Sequence, residues 1–525
     1  MRKLLLASVA AMGASLGAAQ AATTPPFDPA VTPTPDPGTI TVRLNGKLSF
    51  FAGAYGVGDF NGSYYYDVAT GITKSTPFYV NGATGNGSSS ITAAAYAALP
   101  ASTQSLYRAA NLNIEKMNSF GYTDYARFYP GFDGVAANGI KYGVALRVQQ
   151  ADIGGACQGV YGSCSQTDRA RTSLIFRSAY GYVGTDTAGT LRFGMADSVA
   201  SLFQLGTSEN FNTGGWNGDI PSSLPGVFDT PWPFPDVGSS YDINRIVYLS
   251  PRFYGFDFGI DFAPTSNGLN GDNGDGCQSV QYSNPGIAGG PSIAGPGCDL
   301  LSATSTADYK RFRNEMNVGA RYTGTFGDVG FSAYGDYLFS GVTSNSAYIT
   351  APVAVTGVKQ PYDGYSVGYG GAQLTYAGFT IGSAIMGGNI NNVDTNQALM
   401  PVGTKKETAF VVGGSYTYGP LIVGVQYFNS WLAGNQTAAN KIGSPATTGG
   451  APTTANVGGY SSYGIAAGGT YTVAPGLNLY LEYLYGQVKQ PGYNLLLGTA
   501  NAITSPTIGQ RVQTQYMGIG TALTW

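Results

Sequence analysis

Arg511 to Trp525 reads R-V-Q-T-Q-Y-M-G-I-G-T-A-L-T-W. Met517, Ile519, Thr521, Leu523 and Trp525 share one parity, and Tyr516, Gly518, Gly520, Ala522 and Thr524 share the other. Successive side chains of a strand point to opposite faces, so this segment is a strand with one apolar face and one small or polar face. It ends on a large aromatic residue. Together with an export signal at the other end of the chain, that pattern is expected of a protein that closes its own barrel in an outer membrane.

The chain opens Met1-Arg2-Lys3, continues apolar from Leu4 to Ala19, and reaches Ala19-Gln20-Ala21. Residues 1–21 therefore read as a secretory signal peptide with an A-x-A cleavage site. A retained anchor is disfavoured because the apolar core is short. Residues 22–38 (ATTPPFDPAVTPTPDPG) are proline-rich and read as an extended tether, leaving 39–525 for the barrel. Charged residues make up 10% of the chain, against roughly 25% in a typical soluble protein. Hydrophobic content is an ordinary 43%, with 78 Gly and 38 Tyr. No stretch after the signal has the roughly 20 apolar residues of a membrane helix. An apolar signal spread over alternate positions accounts for this composition; a large secreted β-sandwich is the competing architecture.

The chain has no histidine, which removes Ser-His-Asp and Cys-His catalysis and histidine-ligated metal sites. Cys157, Cys164, Cys277 and Cys298 lie in Gly- and Ser-rich stretches between strand signals. In an exported chain they read as two loop disulfides. Three pairings are open, nearest neighbours being favoured. No metal or cofactor is expected.

The first strand signal sets Ile40, Val42, Leu44, Leu48 and Phe50 against Thr41, Arg43, Asn45, Lys47 and Ser49. Further segments follow at 119–130, 140–150, 168–184, 190–196, 243–251, 255–263, 314–324, 329–340, 364–376, 378–388, 407–418, 421–431, 459–473, 477–488 and 511–525. In 364–376 neither parity is consistently apolar. The total is about sixteen, an even number as exported barrels require. Short connectors such as Thr185–Gly189, Gly131–Gly139 and Gly419–Pro420 alternate with long ones at 56–118, 151–167, 197–242, 264–313, 341–363, 389–406, 432–458 and 489–510. Short turns on one side and long loops on the other are the outer-membrane pattern. Within 56–118, Ala93 to Arg108 reads as a short helix.

A sixteen-strand barrel with a polar inner parity encloses an aqueous channel. Basic residues of that parity cluster early: Arg43, Lys47, Arg127, Lys141, Arg147, Arg169, Arg171, Arg177 and Arg192. Segment 197–242 carries Glu209, Asp219, Asp229 and Asp236 with five prolines. An acidic loop folded in against a basic wall would set up a transverse field across a constriction, and such fields decide which solutes pass.

Several strings carry a resemblance. They are Leu44-Asn45-Gly46-Lys47-Leu48, Tyr125-Ala126-Arg127, Arg177 to Gly184 (RSAYGYVG), Gly189 to Gly194 (GTLRFG) and Val247 to Phe256 (VYLSPRFYGF), together with the terminal aromatic. In this order the chain resembles the general (trimeric) porins of Gram-negative outer membranes over nearly all of its mature length. The resemblance implies an all-β transmembrane antiparallel β-barrel whose third long loop bends inward, its acids facing a basic ladder. By position Lys47, Arg127 and Arg177 match the ladder, Arg245 matches it more loosely, and Glu209 and Asp219 match the loop acids. It implies passive diffusion of small hydrophilic solutes without catalysis, a homotrimer, contact with outer-membrane lipid and lipopolysaccharide, and recognition of the last strand, ending at Trp525, by the barrel assembly machinery. Nucleic acid is no partner.

Two departures leave room for other readings. The third loop is rich in Pro and Trp, so Trp216, Trp232, Tyr241 and Tyr334 could form a stacking slide in a sugar- or anion-selective porin. The long first loop leaves room for a structural or adhesive outer-membrane protein.

Overall fold

The alternation that begins at Ile40 divides lipid from lumen. In the computed structural model of the chain, strand β1 (Ile40–Gly58) turns Ile40, Val42, Leu44, Leu48 and Phe50 outward, 42–72% exposed, and buries Arg43, Ser49 and Phe51 on its other face. The structure describes residues 36–58, 120–150, 174–221, 230–235, 243–265, 312–342, 362–390, 399–434, 457–495 and 509–525, with short pieces of the connectors (78–81, 90–92, 98, 107–110, 281–282, 293–294, 302–303, 344–345 and 499–500).

Fifteen more strands repeat the pattern: β2 (Phe120–Val135), β3 (Lys141–Gln150), β4 (Leu174–Thr185), β5 (Gly189–Met195), β6 (Asn244–Leu249), β7 (Phe256–Thr265), β8 (Phe312–Phe326), β9 (Val329–Val342), β10 (Ser366–Tyr376), β11 (Phe379–Asn389), β12 (Glu407–Tyr418), β13 (Leu421–Leu432), β14 (Tyr460–Ala474), β15 (Leu477–Lys489) and β16 (Arg511–Thr524). Each pairs antiparallel with its chain neighbours, and β1 pairs with both β2 and β16, so the sheet closes. Closure matters energetically. A closed ring leaves no open sheet edge, the condition for crossing hydrocarbon without a helix. Among the described residues no helix is long and apolar enough to span a membrane.

Closure rests on the chain end. The Trp525 N–H donates to the Gly46 carbonyl at 3.2 Å, and the Gly46 N–H donates to the Trp525 carbonyl at 3.1 Å. The indole lies over the bare Gly46 backbone and meets Phe128 edge-on at 6.0 Å. Two aromatic belts flank the apolar band, as at bilayer interfaces. Phe128, Trp525, Phe379 and Tyr416 lie toward the short turns, while Phe410, Tyr427, Trp431, Tyr463 and Tyr485 form a continuous arc toward the long connectors.

Some boundaries differ from expectation. Strand β2 runs to Val135 because Phe132 and Gly134 still pair with Val42 and Ile40, so the expected Gly131–Gly139 connector shrinks to a turn closed by Ala136 N–H donating to Ile140 O at 2.8 Å. The weak segment 364–376 does form β10. Its outward parity holds Ser366, Gly368, Gly370 and Ala372, which hid the signal. The Ala93–Arg108 helix is corrected at its end. Tyr107 and Arg108 belong to a strand, Tyr107–Ala110, paired with Phe78–Asn81 in a three-stranded sheet with Ser90–Thr92. Cross-strand hydrogen bonding overrode the helical propensity of the alanines there. The signal peptide, the tether up to residue 35, the rest of that helix apart from Ala98, and all four cysteines lie outside the described residues.

Candidate functional site

One connector between β5 and β6, described over 197–221 and 230–235, lies against the inner wall of the barrel. It begins as helix α1 (Val199–Phe203), where Ser198 supplies the N-cap hydroxyl to the Ser201 N–H. The Val199 N–H donates to Asp261 Oδ2 at 2.6 Å, and the same carboxylate accepts from Arg245 Nη1 at 2.7 Å. Arg245 also reaches Glu315 at 3.1 Å, and its side chain is fully buried. Beside it, Arg321 bonds Asp257 at 2.6 Å and lies over the Phe203 ring at 4.8 Å. Arg245, expected on the ladder, thus anchors the root of the loop.

From α1 the connector follows the inner wall strand by strand. Gln426 of β13 holds it twice, donating to the Thr207 carbonyl at 2.8 Å and accepting from the Trp216 N–H at 3.1 Å. Asn210 donates to Ser415 of β12 at 2.7 Å, the Asn212 N–H donates to Thr470 of β14 at 2.9 Å, and Thr213 donates to Glu482 of β15 at 3.1 Å. The wall under this path is cleared of side chains. A Cβ on Gly382 would fall 2.7 Å from the Gly206 Cα, one on Gly413 would fall 2.7 Å from the Ser208 Cβ, and one on Gly486 would fall 2.7 Å from the Trp216 ring. Gly319, Gly424 and Gly464 meet the loop in the same way. The wall glycines form a track in which the connector lies.

The track ends at Asp219. Its carboxylate accepts from Lys47 Nζ on β1 at 2.7 Å and from Arg127 Nη2 on β2 at 2.7 Å, and it is 3% exposed. Burial would raise the Asp219 carboxyl, but Arg127 and Lys47 outweigh burial and hold it at about 2. Glu209 turns back into the loop, accepting from Asn217 Nδ2 at 3.0 Å, and burial pushes its carboxyl above the usual range.

The remaining candidates divide in space. Arg147 of β3 lies close enough to Asp219 to act on its charge. Arg177 is the extra residue of a β-bulge, since Arg147 pairs with Ser178 while Val148 pairs with Phe176. Phe176 is exposed to lipid and Ser178 is buried, so the parity of β4 flips at Arg177. A bulge of this kind re-aims a side chain, here toward the inner face. Arg43 is taken up by Asp133, at 2.5 Å, which also accepts from the Tyr182 hydroxyl. Arg192 lies over the Tyr180 ring at 5.3 Å. Lys141 pairs with Asp186 at 2.5 Å near a short turn. Arg169, Arg171, Asp229 and Asp236 lie outside the described residues.

The aromatic slide is corrected for two of its members. Trp216 is 2% exposed, donating from Nε1 to the Ile465 carbonyl at 3.0 Å, and Tyr334 is 6% exposed. Trp232 packs on Phe428 at 5.2 Å. These rings bind the loop to the wall, which leaves Trp216 and Tyr334 no face for a solute; Tyr241 is outside the described residues. Sequence reasoning missed Asp257, Asp261, Glu315, Arg321, Gln426 and Glu482 as loop anchors. Their signal was present, namely hydrogen-bonding side chains on the lumen parity of distant strands.

Residues 7–491 match the sequence model of a family described as Gram-negative porin. A triple mutant of Rhodopseudomonas blastica porin aligns with 92% of this chain and 100% of its own, at 10% identity and a TM-score of 0.40. A second engineered form of that porin gives the same coverage and identity with a TM-score of 0.39. No curated protein matches the sequence.

Proposed function

The chain belongs to the Gram-negative porin family, the diffusion channels of outer membranes, and from that premise we propose that its constriction lies where Asp219 meets Lys47 and Arg127. The observation that carries this is the double ion pair at 2.7 Å, which brings the lumenal connector across to β1 and β2. The channel is passive and acts without cofactor. Small hydrophilic solutes pass between the loop end and the wall of β2–β4. Among the described residues, Lys47, Arg127 and Arg147 gather around one loop carboxylate, and the bulge turns Arg177 toward the same face of the wall. The local sum is therefore positive although the whole chain carries −3. Ions respond to the field at the narrowest point more than to the total charge, so small anions pass more readily than small cations.

Reversal potential across a potassium chloride gradient tests this. The expected sign is that of chloride preference, and Lys47→Ala with Arg177→Ala should shift it toward potassium. A wild-type potential favouring potassium, or one that the double variant leaves unmoved, would refute the basic constriction.

Family membership also supports a homotrimer set among outer-membrane lipid and lipopolysaccharide, delivered by the barrel assembly machinery through the strand that ends at Trp525. Residues 1–21 act as the export signal, 22–38 act as a tether, and the four cysteines form two loop disulfides. Cross-linking and light scattering of the detergent-solubilised protein should give three chains per particle; one chain would overturn the trimer.

A further inference from the structure

The wall beneath the first part of the connector holds polar atoms with nothing to bond. On the lumen parity of β8, Asn317 is fully buried, and neither its Oδ1 nor its Nδ2 has a partner among the described residues. The same holds for both Asp336 oxygens and the Tyr334 hydroxyl on β9, and for the Tyr369 hydroxyl on β10; these three side chains are 5–7% exposed. The groups share one patch. Asp336 is the cross-strand partner of both Gly319 and Tyr369, Tyr334 lies two residues along β9, and Asn317 lies two residues along β8 from Gly319. Direct and diagonal neighbours on one face of a sheet are within reach of such side chains. Unsatisfied buried polar groups gathered in this way call for a bound water or ion.

Charge decides between the two. Arg245 is shared by Asp261 and Glu315, and Arg321 is held by Asp257. Two guanidiniums thus face four carboxylates, and Asp336 is the carboxylate left without a cation among the described residues. Water satisfies hydrogen bonds but leaves that charge uncompensated, and an unpaired buried carboxylate is the costly case. The space around it is enclosed. A Cβ on Gly319 would meet Asp336 Oδ2 and would fall 3.0 Å from Val199 of α1, so the carboxylate lies between the bare wall and the helix. On the far side, a Cβ on Gly371 would fall 2.6 Å from the Leu205 carbonyl oxygen and 2.7 Å from the Tyr334 ring. That brings a backbone oxygen of the connector to the edge of the patch.

We propose that Asp336, Asn317, Tyr334 and Tyr369 hold one alkali cation between β8–β10 and the connector, with the Leu205 carbonyl closing the shell from the loop side. The donors are a carboxylate, an amide carbonyl, two phenol hydroxyls and a peptide carbonyl. Oxygen sets of this kind suit hard cations. Among the described residues no three histidine, cysteine or acidic side chains are placed to hold a metal together, and one unshared carboxylate matches a single positive charge. The ion ties residues 199–205 to the wall, upstream of Asp219. It takes no part in the passage of solutes, so the channel still acts without cofactor, and the site is independent of which solutes the constriction favours.

The test follows thermal unfolding of the detergent-purified full chain in sodium, potassium and tetramethylammonium chloride at equal ionic strength and neutral pH. Tetramethylammonium carries the same charge but is too bulky for oxygen ligands to surround. Wild type should unfold about 2–4 °C higher in at least one alkali salt than in tetramethylammonium chloride. Asp336→Asn keeps the shape of the side chain and removes its charge, so it should unfold at the same temperature in all three salts. Equal wild-type temperatures in the three salts, or the same salt dependence in the variant, would overturn the proposal. So would a wild-type midpoint that follows pH and not the salt, which would assign the missing charge to a proton, or one that trace calcium restores in tetramethylammonium chloride. Crystals of wild type soaked in thallium(I), an alkali mimic, supply a second readout that stands even if the variant fails to fold. An anomalous peak beside the Asp336 carboxylate is expected; a site without one, filled by water only, would overturn the ion.

Discussion

Asp219 and Arg245 show how differently two ion pairs can serve one pore. The Asp219 carboxyl sits at about 2, against an ordinary 3.8, a difference of roughly 2–3 kcal/mol in favour of the bridged, ionised form. A depressed carboxyl contributes stability that is complete above its unfolded value and is lost as pH falls through the folded one. The bridge to Lys47 and Arg127 should therefore persist from neutral pH to about 4 and open toward 2. Single-channel recordings can check this. The conductance difference between wild type and Asp219→Asn should stay nearly constant from pH 7 to 4 and fall to about half near pH 2, and a difference that disappears already at pH 5 would refute the assignment. Arg245 behaves otherwise. Replacing it with Met leaves Asp261 and Glu315 buried without their cation, a loss of about 3–5 kcal/mol. Thermal unfolding in detergent should register that loss, while the potassium-to-chloride permeability ratio of whatever protein folds should hold steady.

The lumenal connector depends on what the facing strands omit. Nothing in 197–242 alone specifies where it lies; the bare glycines of β8, β11, β12, β13, β14 and β15 do. A Val at Gly382 would put its Cβ into the Gly206 backbone, and backbone cannot swing aside as a flexible side chain can. Overpacking of this sort costs about 1–3 kcal/mol, and the loop is the part free to yield. Gly382→Val should therefore raise unit conductance and admit larger neutral solutes in a liposome-swelling assay. Unchanged conductance with a normal barrel would show that the loop is not seated by the wall. The bulge in β4 makes a related point. Deleting Arg177 would restore simple alternation, with Ser178 following Phe176 on the inner face, and would remove a lumenal charge in the same step.

The barrel as a whole is completed by its last few atoms. Trp525 holds both the backbone pairing with Gly46 and an aromatic contact with Phe128. Trp525→Ala keeps the pairing but loses the ring that covers Gly46 and faces lipid at the turn-side belt. Heat-modifiable gel mobility should show a smaller folded fraction and a lower unfolding temperature than wild type. Equal folding yields would show that the terminal aromatic does not help to close the ring.

Much of this architecture was readable from alternation, because period two leaves a mark on every strand and a barrel sums sixteen such marks. The faces of β1 and β16, the lumen parity of Lys47, Arg127 and Arg147, and the run of 197–242 as an unusually charged and proline-rich connector are all properties of neighbours in the chain. The contact of Asp219 with Lys47 and Arg127 joins residues 172 and 92 positions apart. The burial of Arg245 beneath α1, the use of Trp216 as a packing group and the inward turn of Arg177 likewise depend on which strands stand side by side. Period and composition are local quantities that the chain carries with it. Ion pairing and close packing depend on distances through space, and those exist only once the ring has closed and the connector has settled against it.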